Sequence, residues 1–241
     1  MKKLTLAASV LMAAMSLVSC AEKQNDGEWI SLFDGKTFEG WRGYNRTDMP
    51  AAWTIDDGAI KINGSGAGEA GAKDGGDIIF DRKFKNFELE FEWKVAEGSN
   101  SGVFYLAQET EGEPIWKSSP EYQILDNERH PDARLGKDGN RMSASLYDLV
   151  PAVPQNAKPA GEWNKGGIMV YKGTVIHYQN GKPVVEYHLW TDDWKKMVAD
   201  SKFASYDAFV NAGGENHEGY IGFQDHGDDV WYRNIRIKIL D

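Results

Sequence analysis

Residues 87–95, Phe-Glu-Leu-Glu-Phe-Glu-Trp-Lys-Val, carry an apolar side chain at every odd position and a charged one at every even position. Only an extended strand turns alternate residues to opposite faces, so this run dictates a half-buried antiparallel strand with one apolar face and one wet face. Val184–Tyr187 and Ile235–Ile239 repeat the pattern. Asn180-Gly181, between Thr174–Gln179 and Lys182–His188, and Asp57-Gly58, between Trp53–Ile55 and Ala59–Ile62, have the chemistry of two-residue hairpin turns. One stretch departs from the period of two. Between 191 and 210, Thr191 suits an N-cap, Asp192 and Asp193 a first turn, and Trp194, Met197 and Val198 an apolar stripe, which predicts a single short helical insert. Many short strands at close turn spacing, with no internal repeat, predict an all-β sandwich of jelly-roll type built from two antiparallel sheets.

The N-terminus follows a different rule. Met1-Lys2-Lys3 is a short basic segment, the run from Leu4 to Val18 is apolar, and Leu17-Val18-Ser19-Cys20 resembles a lipobox. Residues 1–19 are expected to be a lipoprotein signal peptide with Cys20 the lipidated first mature residue, 20–28 a polar tether, and 29–241 one domain. The expected location is the bacterial cell envelope, periplasmic or outer-membrane, with contact to the membrane through acyl chains only. Cys20 is the only cysteine, so neither a disulfide framework nor a cysteine zinc cluster can form. Removing Lys2 and Lys3 takes the charge from −10 to −12, which argues against a nucleic-acid partner.

Strand parity sorts the polar side chains. With Tyr122 and Ile124 in the core, Glu121 and Gln123 project from the other face, and Asp126 stands where that strand frays. With Ile221 and Phe223 inward, Gln224 and His226 face outward, and Gly222 is expected to leave room for a ligand. Leu146 inward sets Ser145 and Tyr147 outward. A carboxylate, a histidine, a phenol and amides on such faces are the inventory of a sugar-binding concavity. Gly64–Gly76 lacks Walker spacing and reads as a loop beside a site. His177 and His188 read as exposed hairpin residues, and Arg233 either stacks on an indole or forms a structural ion pair.

Several segments in order carry a family resemblance: Ser31-Leu32-Phe33-Asp34-Gly35-Lys36 with Gly40-Trp41, Asn100-Ser101-Gly102-Val103, Glu121-Tyr122-Gln123-Ile124-Leu125-Asp126, Gly161-Glu162-Trp163-Asn164, Ser201-Lys202-Phe203, Gly222-Phe223-Gln224-Asp225-His226-Gly227 and Trp231-Tyr232-Arg233-Asn234-Ile235. From about Trp29 to the end, the chain resembles the 3-keto-disaccharide hydrolase family. Phe223 stands where leucine is expected, a volume-tolerant core exchange.

The resemblance implies a concanavalin A-like jelly roll and action on glycosides whose C3 hydroxyl is already a ketone, by 1,2-elimination with hydration of the resulting 2-hydroxy-glucal. A C3 ketone acidifies the C2 proton, so the reaction needs a base at C2, a donor or cation for the enolate oxygen and an acid for the leaving group. His226 or Glu121 is the expected base, and Tyr147 or a bound divalent metal steadies the enolate. Gln123, Asn164, Gln224 and Arg233, with Trp163 beside Asn164, would bind the sugar. Glu121, Asp126, His130 and His226 are the candidate metal ligands. No dinucleotide fingerprint is present, so the ketone must come from a separate sugar 3-oxidoreductase. A non-catalytic carbohydrate-binding lipoprotein using the same concave face is the alternative. The ExDxE strand motif of laminarinase-type glycosidases is missing from the sequence.

Overall fold

The computed structural model describes residues 27–66, 68 and 71–241. The expected leader, Cys20 and the tether up to residue 26 lie outside the described residues. Thirteen strands follow in chain order: β1 (Trp29–Ser31), β2 (Trp41–Gly43), β3 (Trp53–Asp56), β4 (Ala59–Ile62), β5 (Ile78–Phe80), β6 (Phe87–Val95), β7 (Asn100–Ala107), β8 (Glu121–Leu125), β9 (Asn164–Tyr171), β10 (Thr174–Gln179), β11 (Lys182–His188), β12 (Tyr220–Phe223) and β13 (Val230–Ile239). They form two antiparallel sheets, a large one in the order β11-β10-β9-β6-β13-β4-β3 with β1 also on β13, and a small one in the order β2-β5-β12-β7-β8. This is a jelly-roll sandwich.

The alternation in β6 does what its pattern dictates. Phe87, Leu89, Phe91, Trp93 and Val95 are buried between the sheets, while the intervening charged residues lie on the outer face of the large sheet. Asn180 and Gly181 (φ 48° and 80°), and Asp57 and Gly58 (φ 47° and 74°), hold the left-handed conformation that two-residue hairpins of this hand require.

The small sheet differs, because it is covered on both sides. Its inner face meets the main core, and its outer face bears a second apolar cluster of Ile79, Phe104, Ala107 and Ile115 under a 3-10 turn, Ile115–Lys117. Gly222 belongs to this cover. A side chain there would meet Ile78 O and Ile115 Cδ1, so its bareness serves close packing and does not make room for a ligand as the sequence suggested. The helical insert is two short helices, α1 (Asp192–Ala199) and α2 (Asp207–Val210), and Thr191 Oγ1 caps α1 by accepting from Trp194 N (3.1 Å).

His177 corrects the expectation of an exposed residue. In β10 it shares parity with Val175 and Gln179 and points into the core. Tyr187 OH, Tyr105 OH and His177 Nε2 form a hydrogen-bonded chain (2.6 and 2.7 Å) that ends at Ala144 O, to which His177 Nδ1 donates (2.8 Å). Full satisfaction makes the burial tolerable, and burial pushes the imidazole down to about 4. His188 is exposed, as expected.

Candidate active site

The uncovered part of the small sheet's outer face forms the floor of a cavity of about 850 Å³. β8 contributes Glu121 and Gln123, the start of β7 contributes Asn100, and the segment leaving β12 contributes Gln224 and His226. One wall is the glycine-rich segment ending at Asp77. Asp225 ties it down, its carboxylate accepting from Ala72 N (2.9 Å), Gly76 N (2.7 Å) and Gly227 N (2.9 Å). The opposite rim is aromatic: Trp116 from the 3-10 turn, with Phe203 and Tyr206 from the link between α1 and α2.

Glu121 is buried, and its carboxylate takes no hydrogen bond from any described residue. Burial raises its pKa to about 8. Lys202 opposes the rise, and the negative fields of Asp77 and Asp132 add to it. Asp77 is itself raised to about 7 by burial, although its carboxylate accepts from Asp225 N (2.9 Å). Lys202 stands at the rim with its ammonium 4.1 Å from the centre of the Tyr147 ring, and partial burial lowers its pKa. The site thus opposes a carboxyl group that resists ionisation to a lysine that loses its proton more readily than usual.

Tyr147 lines the cavity, but its hydroxyl donates to Asp132 Oδ2 (2.8 Å), and Arg141 bridges Asp132 and Asp148 on the far side. Its proton is committed, so Tyr147 enters the site as a ring that supports Lys202. Three other groups make no hydrogen bond: Asn100 Oδ1, Gln224 Oε1 and His226 Nδ1 are buried and unpaired, with Asp228 Oδ2 3.8 Å from His226 Nδ1. All three belong to residues lining the cavity. Buried polar atoms without hydrogen bonds are costly, and three of them on residues around one cavity are a set that a polar ligand there would satisfy. Gln123 is less available, since its side-chain oxygen accepts from Ile124 N (2.9 Å).

The four expected metal ligands do not come together. Asp126 is a turn cap, accepting from the backbone N–H groups of Gly98, Glu128 and Arg129. Glu121 lines the same cavity as His226 but does not join the two histidines at ligand distance. His130 and His226 do meet, with ring centres 5.8 Å apart, and Asp228 joins them, so that ligand atoms of the three lie within 4.8 Å of one another. The set offers two imidazoles and a carboxylate, but His130 Nδ1 already accepts from Asp132 N (3.2 Å) and Asp228 Oδ2 from Asn100 N (3.0 Å).

Three expected sugar-binding residues stand elsewhere. Arg233 lies on the outer face of the large sheet, stacked 3.9 Å over the Trp163 ring and paired with Glu92 (2.8 Å). Asn164 is fully buried and its side-chain oxygen accepts from Lys158 N and Asn180 Nδ2. Arg233 and Trp163 thus belong to the outer face of the large sheet, where the register shift after Arg233 turns it outward, and Asn164 to the interior beside Trp93. Conversely, Asp77, Asn100, Trp116, Lys202 and Tyr206 line the cavity without having been singled out. Asn100 and Lys202 stood inside the segments that carry the family resemblance, which was the one available signal.

Residues 28–238 match the 3-keto-alpha-glucoside-1,2-lyase-like domain family. A Bacteroides thetaiotaomicron protein named 3-keto-disaccharide hydrolase is 63% identical over 228 residues, covering 88% of this chain and 79% of that protein. Among solved structures, a candidate glycosyl hydrolase from Parabacteroides distasonis superposes with a TM-score of 0.76 at 27% identity, over 89% of this chain and 94% of that one. The exoplasmic/lumenal domain of VIP36, bound to Ca2+ and Man3GlcNAc, shares the fold alone at 10% identity and TM-score 0.50, over 87% of each chain. By family match and by sequence identity alike, the chain belongs to the 3-keto-alpha-glucoside-1,2-lyase-like domain family.

Proposed function

We propose that this protein cleaves glycosides already oxidised to a ketone at C3, by removing the C2 proton and eliminating the C1 substituent. The observation that carries the reading is Glu121: a buried carboxyl group, its pKa raised to about 8 and faced by Lys202, on the floor of a cavity lined also by three residues whose buried polar atoms make no hydrogen bond. The name and 63% identity of the Bacteroides relative support the same substrate class.

In this mechanism the Glu121 carboxylate takes the C2 proton. The electron pair moves into a C2–C3 enolate whose negative charge falls on the C3 oxygen. A carboxylate of raised pKa is a stronger base than an ordinary one at the pH where it is ionised, and the C2 proton of a ketone needs such a base. The Lys202 ammonium supplies the cation for the enolate oxygen, the role for which the Tyr147 hydroxyl is not free. The enolate then collapses: the C3 ketone re-forms, the C2–C3 pair makes the C1–C2 double bond, the C1–O bond breaks, and His226 protonates the departing oxygen. Asn100 and Gln224 hold sugar hydroxyls. Addition of water at C1 and return of a proton to C2 make the overall result hydrolysis.

Proton NMR of residues 21–241 with a 3-keto-glucoside in deuterated water tests this. The expected result is release of the aglycone with a 2-hydroxy-glucal signal or deuterium at C2. Binding without release would replace the reading with that of a carbohydrate-binding protein. For localisation, we propose attachment to the cell envelope through lipidated Cys20. Metabolic labelling with a fatty-acid analogue checks it, and a Cys20→Ala chain that retains the label overturns it.

A further inference from the structure

A second, smaller hollow of about 230 Å³ adjoins the cavity and shares two wall residues with it, Pro114 and Tyr206. Its other walls include Lys117 from the 3-10 turn and Ser205, Asp207 and Ala208 at the start of α2. Its volume lies below the roughly 300 Å³ at which pockets begin to take drug-sized ligands, so it suits a group the size of one ring. We propose that this hollow is the subsite for the leaving group, and that the group it takes is a neutral sugar ring. The inference rests on the elimination reading above for its placement of the scissile bond.

The boundary between the two spaces is built for a sugar. Trp116 and Tyr206 meet edge to face with ring centres 5.4 Å apart, presenting an aromatic ridge over which a glycosidic link can pass. Lys117 Nζ stands 5.4 Å from the Tyr206 ring centre and pairs with Glu113. The Trp116 indole N–H, the Tyr206 hydroxyl and the Ser205 hydroxyl have no hydrogen-bond partner among the described residues. Apolar ring faces beside free donors and acceptors of both kinds match a pyranose, which has an apolar C–H face and a rim of hydroxyls. Lys117 pairs with Glu113, and Asp207 adds a second carboxylate to the lining, so an anionic leaving group is disfavoured and a neutral one is accepted.

The hollow is also held in shape. Asn45 Nδ2 donates to Thr110 O (2.8 Å), and Ser118 Oγ donates to Gln108 O (2.9 Å), which pins the segment leading into the 3-10 turn from both ends. Tyr206 N donates to Phe203 O (3.0 Å), fixing the approach to α2. A preformed subsite loses less on binding than one that must be ordered by its ligand.

The test fills the hollow. Ser205 and Ala208 are exposed and lie outside the catalytic cavity, so Ser205→Trp and Ala208→Trp each place a ring in the subsite without touching Glu121, Lys202 or His226. Turnover of a 3-keto-disaccharide is compared with that of methyl 3-keto-glucoside. The expected result is a fall of about tenfold or more in kcat/KM for the disaccharide, carried by KM, with the methyl glycoside within about twofold of the parent. Equal losses on both substrates, or no loss on the disaccharide with either variant, overturn the proposal. Calorimetric binding of the two sugars to Glu121→Gln separates the questions. If no sugar is turned over but either tryptophan abolishes a disaccharide preference in binding, the subsite stands and the elimination reading falls. A parent protein that turns over both sugars and prefers neither in binding removes the subsite and leaves the reaction.

Discussion

The Glu121 carboxylate occupies the space that a side chain at Gly102 would need. The two residues sit on neighbouring strands of the small sheet, two residues off direct register and so on the same face, and Gly102 O accepts from Gln224 N (2.9 Å) on the other side. The glycine therefore seats the candidate base and fixes the backbone beside Gln224, linking two strands of the site through one bare position.

Gly102→Ala should displace Glu121. Overpacking of this kind costs about 1–3 kcal/mol, and displacement of a base by an ångström or so costs about 10²-fold in rate. Urea melts and turnover of a 3-keto-glucoside measure both. An alanine variant with unchanged turnover would show that Glu121 does not need this seat.

Glu121→Gln should abolish turnover, a loss of about 10²-fold or more for a general base, and should change the pH dependence of stability. A carboxyl group raised to about 8 in the folded protein binds its proton more tightly there than in the unfolded chain. Its stabilising contribution is full below the unfolded value near 4.5 and is lost as pH rises through about 8. The glutamine variant should therefore gain stability relative to the parent as pH rises across that interval, as read from denaturant midpoints at pH 5 and pH 8.

The same field sets the kinetics. With Glu121 as base, kcat/KM should rise with pH along a limb governed by its ionisation. Asp77→Asn removes a neighbouring negative charge and should move the limb to lower pH, whereas Lys202→Met removes the opposing positive charge and should move it higher. The lysine variant should also lose about 10–10³-fold in kcat, the range for removal of one electrostatic stabiliser. Shifts of the same sign in the two variants would detach the limb from Glu121.

His177 provides an acid-side contrast. Its folded pKa of about 4 lies below the unfolded value near 6.5, so stability is present above that value and is lost as pH falls through about 4. The full loss is about 3 kcal/mol. His177→Gln should flatten this acid limb and also cost about 1–3 kcal/mol at neutral pH by leaving buried partners unmatched. Denaturant midpoints between pH 7 and pH 4 check both effects.

Trp163→Ala and Arg233→Ala should leave kcat/KM within about twofold, because both side chains lie on the outer face of the large sheet. Their cost is confined to stability, about 1 kcal/mol or less for the stacked pair and its link to Glu92. A tenfold kinetic defect in either variant would mean that this face takes part in binding.

What the sequence determined by itself was local. The alternation of Phe87–Val95, the Asn180-Gly181 and Asp57-Gly58 turns and the Thr191 cap each depend on neighbours within a few residues, and each appears where its chemistry requires. Parity also grouped Glu121 with Gln123 and Gln224 with His226, because side-chain direction along a strand repeats every two residues. Tertiary structure decided which sheet owned each outward face. A sandwich has two outer faces, and no local pattern tells them apart, which is why Trp163 and Arg233 could be grouped with Glu121 yet lie on the outer face of the large sheet. Arg233 has the parity of Ile235 and Ile237 and turns outward because the register shifts between Arg233 and Arg236. Long-range pairing likewise turned His177 inward, replaced Asp126 by Asp228 beside the two histidines, and carried Asp77, Asn100 and Lys202 from distant segments into one cavity. The raised pKa of Glu121 followed from that assembly alone, since desolvation is a property of everything packed around a group and not of its neighbours in the chain.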